Sequence, residues 1–153
     1  PKYFISMAKK ELGNAPLFNI FFKEMNILVD RKSITGSHKA FLRAGKEIEE
    51  GKSVFLFPEG GIITNDGKLH KFKNGAFKLA IEQQVPVVPV TFLNNWKLFQ
   101  NGVLLRTQAR PGFSRSVVHK PISTKGMTLN DVSLLRDRVH EIIAKDLEEY
   151  NRK

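Results

Sequence analysis

Three short apolar runs near the front of the chain restrict its folding more than any other feature. Tyr3-Phe4-Ile5-Ser6-Met7, Ile27-Leu28-Val29 and Ser53-Val54-Phe55-Leu56-Phe57 have the length and residue types of strands. Helical stretches separate them. Pro16 suits the first turn of a helix through Met25, because its missing N–H would be unpaired there anyway. A second helix is expected from about Ser37 to Glu50, with Ala40, Phe41, Ala44 and Ile48 on one face and Gly51 as its stop. Strands that alternate with helices are joined by crossovers, and crossovers make neighbouring strands parallel. The expected fold is therefore α/β, one domain over residues 1–153, with a largely parallel central sheet flanked by helices.

Later elements can make that sheet mixed. Asn74 is placed to cap a helix from Gly75 to Gln83, and Val85 to Leu93 reads as a buried strand. Val103 to Thr107 and Ser114 to His119 read as two further strands, with Pro111-Gly112 between them. A final helix is expected from about Leu129 to Tyr150, where Leu129, Val132, Leu135, Val139, Ile142 and Ile143 step by three and four.

Composition then removes whole classes of chemistry. The 153 residues include no cysteine, so disulfides, thiolate nucleophiles and cysteine metal sites are excluded. No window approaches the roughly 20 apolar residues of a membrane span. The chain starts at Pro1, directly in a strand-like run, and we expect the gene product to continue upstream. Its charge is lopsided: 25 basic residues stand against 15 acidic ones, a formal net charge of +10. Between Lys68 and Lys125 ten lysines and arginines accompany a single acid, Glu82. Such a field favours anionic membrane surfaces and phosphorylated substrates.

Ligands of parallel α/β sheets collect at the carboxyl ends of the strands. Three such ends carry charge here: Lys9 and Lys10 after the first strand, Asp30 and Arg31 after the second, and Glu59 after the third, within Phe57-Pro58-Glu59-Gly60-Gly61. Cations there would neutralise a phosphate, and a carboxylate would hold a hydroxyl. Other chemistries lack their signatures. The sequence has no Gly-x-Gly-x-x-Gly, no P-loop and no Gly-x-Ser-x-Gly, and its four histidines have no metal-site spacing. Aromatic residues do not alternate with Lys and Arg, so nucleic acid is not an expected partner.

The order and spacing of Ile27-Leu28-Val29-Asp30-Arg31, Phe57-Pro58-Glu59-Gly60 and Val85-Pro86-Val87-Val88-Pro89-Val90 resemble three of the four sequence blocks of the glycerolipid acyltransferases. Met7 to Leu12, Pro16-Leu17-Phe18 and Phe72-Lys73-Asn74-Gly75-Ala76-Phe77 are similar to the family's connecting segments. The resemblance covers roughly the first 95 residues. It implies transfer of a fatty acyl group from acyl-CoA or acyl-ACP, a donor substrate rather than a cofactor, to the free hydroxyl of 1-acyl-glycerol-3-phosphate. It also implies work at a membrane, on the cytoplasmic face, with an anionic surface as partner.

The resemblance implies site roles too. Glu59 would contact the acceptor or organise its pocket, and Gly60 would belong to the same block. Arg31, Asp30, Lys9, Lys10 and Lys73 would bind substrate, the cations taking the phosphate. The family's first block, His-x4-Asp, supplies a general base, and no histidine here has an aspartate five positions on. We expect that block upstream of Pro1 and the chain by itself to be inactive. Gly61-Ile62 stand where the family commonly has threonine and arginine, and Met25 where it has glycine. The competing expectations are a basic module that binds anionic lipid or nucleic acid without chemistry, and an acyltransferase acting on another acceptor such as glycerol-3-phosphate or a different lysolipid.

Overall fold

The computed structural model describes residues 3–9, 26–30, 33–61, 67–99 and 109–152. The expected helix from Pro16 to Met25 and the expected strand from Val103 to Thr107 lie outside the described residues, as do Lys10 and Arg31. The chain divides into two compact units, Pro1–Phe57 and Pro58–Lys153.

The first unit holds the parallel sheet. Strand β1 is Phe4–Lys9, β2 is Asn26–Val29, and helix α1, Ile34–Glu49, leads into β3, Ser53–Phe55. The order is β2-β1-β3, with both neighbours parallel to β1. Helix α1 begins three residues before the periodicity suggests. Ser33 caps it, its Oγ accepting the Gly36 N–H at 3.1 Å. Gly36 is required in that first turn, because a β-carbon there would stand 2.8 Å from Asp30 Cβ. Ile5, Ile27, Ala40 and Ala44 are buried, which places the apolar stripe of α1 and the apolar strand positions in the interior. At the far end of α1, Lys52 bonds Glu47 and holds its carboxyl below the usual range.

The second unit is built round the C-terminal helix. Helix α2 is Gly75–Glu82, β4 is Val90–Phe92, and a single helical turn, α3, spans Asn95–Leu98. Strand β5, Ser116–Val118, pairs antiparallel with β4, and a 3-10 turn over Leu129–Asp131 precedes α4, Val132–Asn151. The strand expected from Val85 to Leu93 is cut to three residues. Pro86 and Pro89 have no N–H to give to a ladder. Pairing survives upstream as one bridge, Val87 to Ile122, whose two backbone bonds are 2.9 and 2.8 Å.

Phe72, Phe77, Ile81, Ile122, Leu135 and Val139 form the core of this unit. The Phe72 and Phe77 rings stack with centroids 6.2 Å apart. Leu135 is fully covered, and burying a side chain of that size contributes about 1.5–3 kcal/mol. The amphipathic spacing along α4 therefore does what its sequence suggests. Among the described residues no helix is long and apolar enough to cross a membrane.

Candidate active site

At the carboxyl edge of the parallel sheet β1 and β2 end level, while β3 stops at Phe55, opposite Ser6. β1 and β2 run in register with Lys9 opposite Val29, so Lys9 closes one strand beside the end of the other, and Asp30 follows directly. The Asp30 carbonyl accepts from the Ser33 N–H at 3.3 Å and the Ser37 hydroxyl at 3.2 Å. These bonds turn the chain from β2 into α1. Lys9 and Asp30 thus share the edge where ligands of such sheets bind, as the sequence suggests.

Pro58, Glu59 and Gly60 follow β3 in the chain and open the second unit. The Pro58 carbonyl accepts the Lys73 N–H at 2.8 Å. One oxygen of the half-buried Glu59 carboxylate accepts the His70 N–H at 3.3 Å. The Pro-Glu-Gly turn and the segment Leu69 to Lys73 are therefore tied together twice. Burial of Phe72 in the core fixes the same segment from its other side.

Gly60 has φ +77, a backbone conformation that side-chain-bearing residues seldom adopt. A β-carbon on it would lie 2.8 to 2.9 Å from Cε, Cδ and Nζ of Lys73. The lysine stem consequently runs across the bare face of the glycine, with its ammonium beside the Pro-Glu-Gly turn. Among the described residues Lys73 forms no ion pair. The turn so presents a carboxylate with one bonded oxygen and, across Gly60, a cation without a counter-charge. Such a pair can hold a hydroxyl and neutralise a phosphate.

Other polar groups in the second unit are less available. A cleft of about 370 Å³ is lined by Lys71, Phe72, Arg136, Asp137 and His140. Its arginine is engaged already: Nε donates to Asp137 and Nη1 to Asn74 Oδ1, each at 2.8 Å. The Arg136 bond holds the Asp137 carboxyl below its usual range. The contact with Arg136 also explains why Asn74, at the cap position of α2, makes no side-chain cap bond.

Thr91, His119 and Asp146 form a second cluster that the sequence does not announce, since the three are far apart in the chain. The Thr91 hydroxyl donates to Asp146 Oδ2 at 2.6 Å, and His119 Nε2 lies 2.7 Å from the same oxygen. Thr91 is 1% exposed, and both partners converge on one carboxylate oxygen. With its hydroxyl sealed from solvent, the cluster ties β4 and the end of β5 to α4 and offers no accessible nucleophile.

The site residues expected from the sequence thus fall into three groups. Glu59, Gly60 and Lys73 are brought together within the second unit. Lys9 and Asp30 share an edge of the first. Lys10 and Arg31 lie outside the described residues. The part sequence reasoning missed is the His70 N–H, a backbone donor eleven positions from Glu59 whose residue type carries no signal.

Known proteins resemble the chain over the same parts. A relative from Haemophilus influenzae, 1-acyl-sn-glycerol-3-phosphate acyltransferase, is 31% identical over 156 residues, covering 95% of this chain and 59% of the relative. A relative of the same name from Borreliella burgdorferi is 29% identical over 147 residues, covering 95% and 57%. The chain therefore spans somewhat over half the length of these curated relatives. The crystal structure of the 1-acyl-sn-glycerophosphate acyltransferase of Thermotoga maritima superposes with a TM-score of 0.77 at 25% identity, covering 97% of this chain and 57% of that one. The α/β fold with its parallel sheet is shared. The family model described as acyltransferase matches residues 1–93, a span that includes β1 to β3, the Pro58-Glu59-Gly60 turn and Lys73. By that match over more than half its length, the chain belongs to the acyltransferase family.

Proposed function

We propose that the protein transfers a fatty acyl group from a thioester, acyl-CoA or acyl-ACP, to the free hydroxyl of 1-acyl-glycerol-3-phosphate, forming phosphatidic acid. The observation that carries this reading is the Lys73 stem laid across Gly60, its ammonium beside the Pro-Glu-Gly turn and without an ion pair among the described residues. Lysophosphatidic acid offers a phosphate and a glycerol hydroxyl to this ammonium and the Glu59 carboxylate. Lys73 takes the phosphate, and Glu59 orients the glycerol with the oxygen not used by His70.

The hydroxyl oxygen attacks the thioester carbonyl carbon, the carbon–sulfur bond breaks, and the thiol leaves with the proton that the hydroxyl loses. A hydroxyl is a weak nucleophile at neutral pH, so the step needs a base. We assign that role to a histidine of the His-x4-Asp block, which the family places before the segment matching Pro1 to Leu12. The substrate's lipid nature and the basic surface support work at an anionic membrane, on its cytoplasmic face.

The test is a product assay on the protein expressed from its full reading frame. With lysophosphatidic acid and labelled acyl-CoA or acyl-ACP, labelled phosphatidic acid should accumulate, and residues 1–153 alone should give none. Absence of product with either donor would favour the non-catalytic lipid-binding module. Equal product from both proteins would overturn the assignment of the base.

A further inference from the structure

Phe113 is 91% exposed and Phe99 68% exposed, yet the backbone that bears them is firmly held. The Asn94 side chain, itself buried, donates to the Phe113 carbonyl at 2.9 Å and accepts the Arg115 N–H at 2.7 Å. Ser114 Oγ donates to Asn95 Oδ1 at 2.6 Å, and the Arg110 N–H reaches the Leu98 carbonyl at 2.8 Å. Phe99 bridges Ala109, and Gly112 lies so close to Leu98 that a β-carbon there would stand 2.7 Å from its Cδ2. Seven residues, Ala109 to Arg115, are thereby pinned against α3 and its flanks.

A single exposed apolar residue needs no explanation. Two exposed phenylalanines on a clamped spur are different, since any polar residue could occupy those positions without disturbing the bonds that hold it. The charge around them is of one sign. Lys97, Arg110 and Arg115 are exposed, and the stretch from Gln83 to Lys125 contains no acidic residue. Aromatic rings among cations, on a support that adds little ordering cost, are what an anionic lipid surface binds.

We propose that the spur formed by Phe99 and Ala109 to Arg115 docks on an anionic bilayer, its phenylalanine rings entering the headgroup region while Arg110, Arg115 and Lys97 meet lipid phosphates. The choice of a bilayer over an acidic protein rests on the lipid acceptor proposed above. No residue of the candidate active site takes part. A protein that draws a lysolipid from a membrane would in this way hold a fixed orientation to it.

The chain has no cysteine, so one introduced thiol can carry a probe. Phe113→Cys, labelled with an environment-sensitive fluorophore, is mixed with vesicles of equal phosphatidylglycerol and phosphatidylcholine containing a nitroxide-labelled lipid. Ser133→Cys, exposed on α4, serves as the control. The probe at 113 should be quenched at least twofold and that at 133 should not. In the unlabelled protein, Phe99→Ser with Phe113→Ser should weaken vesicle partitioning about tenfold or more. Arg110→Glu should weaken it about fivefold, on anionic vesicles alone. Equal quenching at 113 and 133, or partitioning unchanged in the double variant, would overturn the proposal. Neither readout involves acyl transfer, so a failure here is separate from a failure of the proposed reaction.

Discussion

Replacing Glu59 by glutamine separates a structural carboxylate from one that works on the substrate. In the fold Glu59 accepts one long hydrogen bond, 3.3 Å from the His70 N–H. A glutamine carbonyl can accept the same bond at the same place. The stability change should therefore stay below about 1 kcal/mol, the usual net value of one such bond. The catalytic consequence differs in scale. If the second oxygen holds the acceptor, the amide loses the charge that orients the glycerol. Removing one preorganised group of this kind costs on the order of a hundredfold to a thousandfold in turnover, or roughly 3–4 kcal/mol of transition-state stabilisation. The assay is kcat/KM for acyl transfer to lysophosphatidic acid by the full reading frame, with urea unfolding measured in parallel. Activity within about twofold of the wild type would refute the reasoning and reduce Glu59 to a brace for the Leu69–Lys73 segment. A large loss of stability would refute it differently, by showing that the carboxylate charge is structural.

Three further outcomes follow from the same geometry. Gly60→Ala forces a β-carbon into a φ of +77 and against the Lys73 stem; the strain, about 1–2 kcal/mol, should appear in urea unfolding, together with a raised KM for the lysolipid as Lys73 is displaced. Leu135→Ala empties a fully covered position in the core round α4, so the second unit should lose about 2–5 kcal/mol, while an exposed change such as Ser133→Ala should lose almost nothing. The Glu47 carboxyl is held low by Lys52, that of Asp131 by the Thr128 N–H at 2.7 Å, and that of Asp137 by Arg136. Because each folded value lies below the unfolded one, their contribution is fully present only above about pH 5 and fades as pH falls through the unfolded and then the folded values. Thermal melts from pH 6 to pH 2 should therefore decline most steeply below about pH 4, and the triple variant Glu47→Gln, Asp131→Asn, Asp137→Asn should flatten that decline.

Much of the architecture is legible in the residues, for identifiable reasons. The strand at Ile27 to Val29 is short, aliphatic and closed by Asp30, and it pairs as such a run should. The stepping of Leu135 and Val139 places the inner face of α4 without ambiguity, because both must leave water. Local patterns fail where a distant partner decides. Asn74 has the residue type and position of a cap, yet Arg136, sixty-two positions on, takes its side-chain oxygen. Gly36, just ahead of the helix start expected near Ser37, instead lies inside α1, where the turn after β2 leaves no room for a β-carbon. The apolar run from Val85 hides its two interruptions, which come from proline N–H groups that do not exist.

At the candidate site the same division holds. Glu59 and Gly60 are readable because a carboxylate and a glycine after an apolar strand at Pro58 form a distinctive block. That Lys73 crosses Gly60 is not readable, since the approach depends on Phe72 being buried and the Pro58 carbonyl holding the Lys73 N–H. The pairing of those facts raises Lys73 from one of ten cations in a basic stretch to a cation laid directly against the motif.

The central claim is that this motif recognises a phosphate on a hydroxyl-bearing lipid. Its most direct measurement is the acceptor preference of the full reading frame, comparing lysophosphatidic acid with the same monoacylglycerol lacking the phosphate. Loss of one charge-assisted contact set of about 2–3 kcal/mol corresponds to roughly thirtyfold to two-hundredfold in kcat/KM. The account predicts a preference of that size for lysophosphatidic acid, most of it abolished by Lys73→Met. Equal rates on the two acceptors, or a preference that survives Lys73→Met intact, would contradict it.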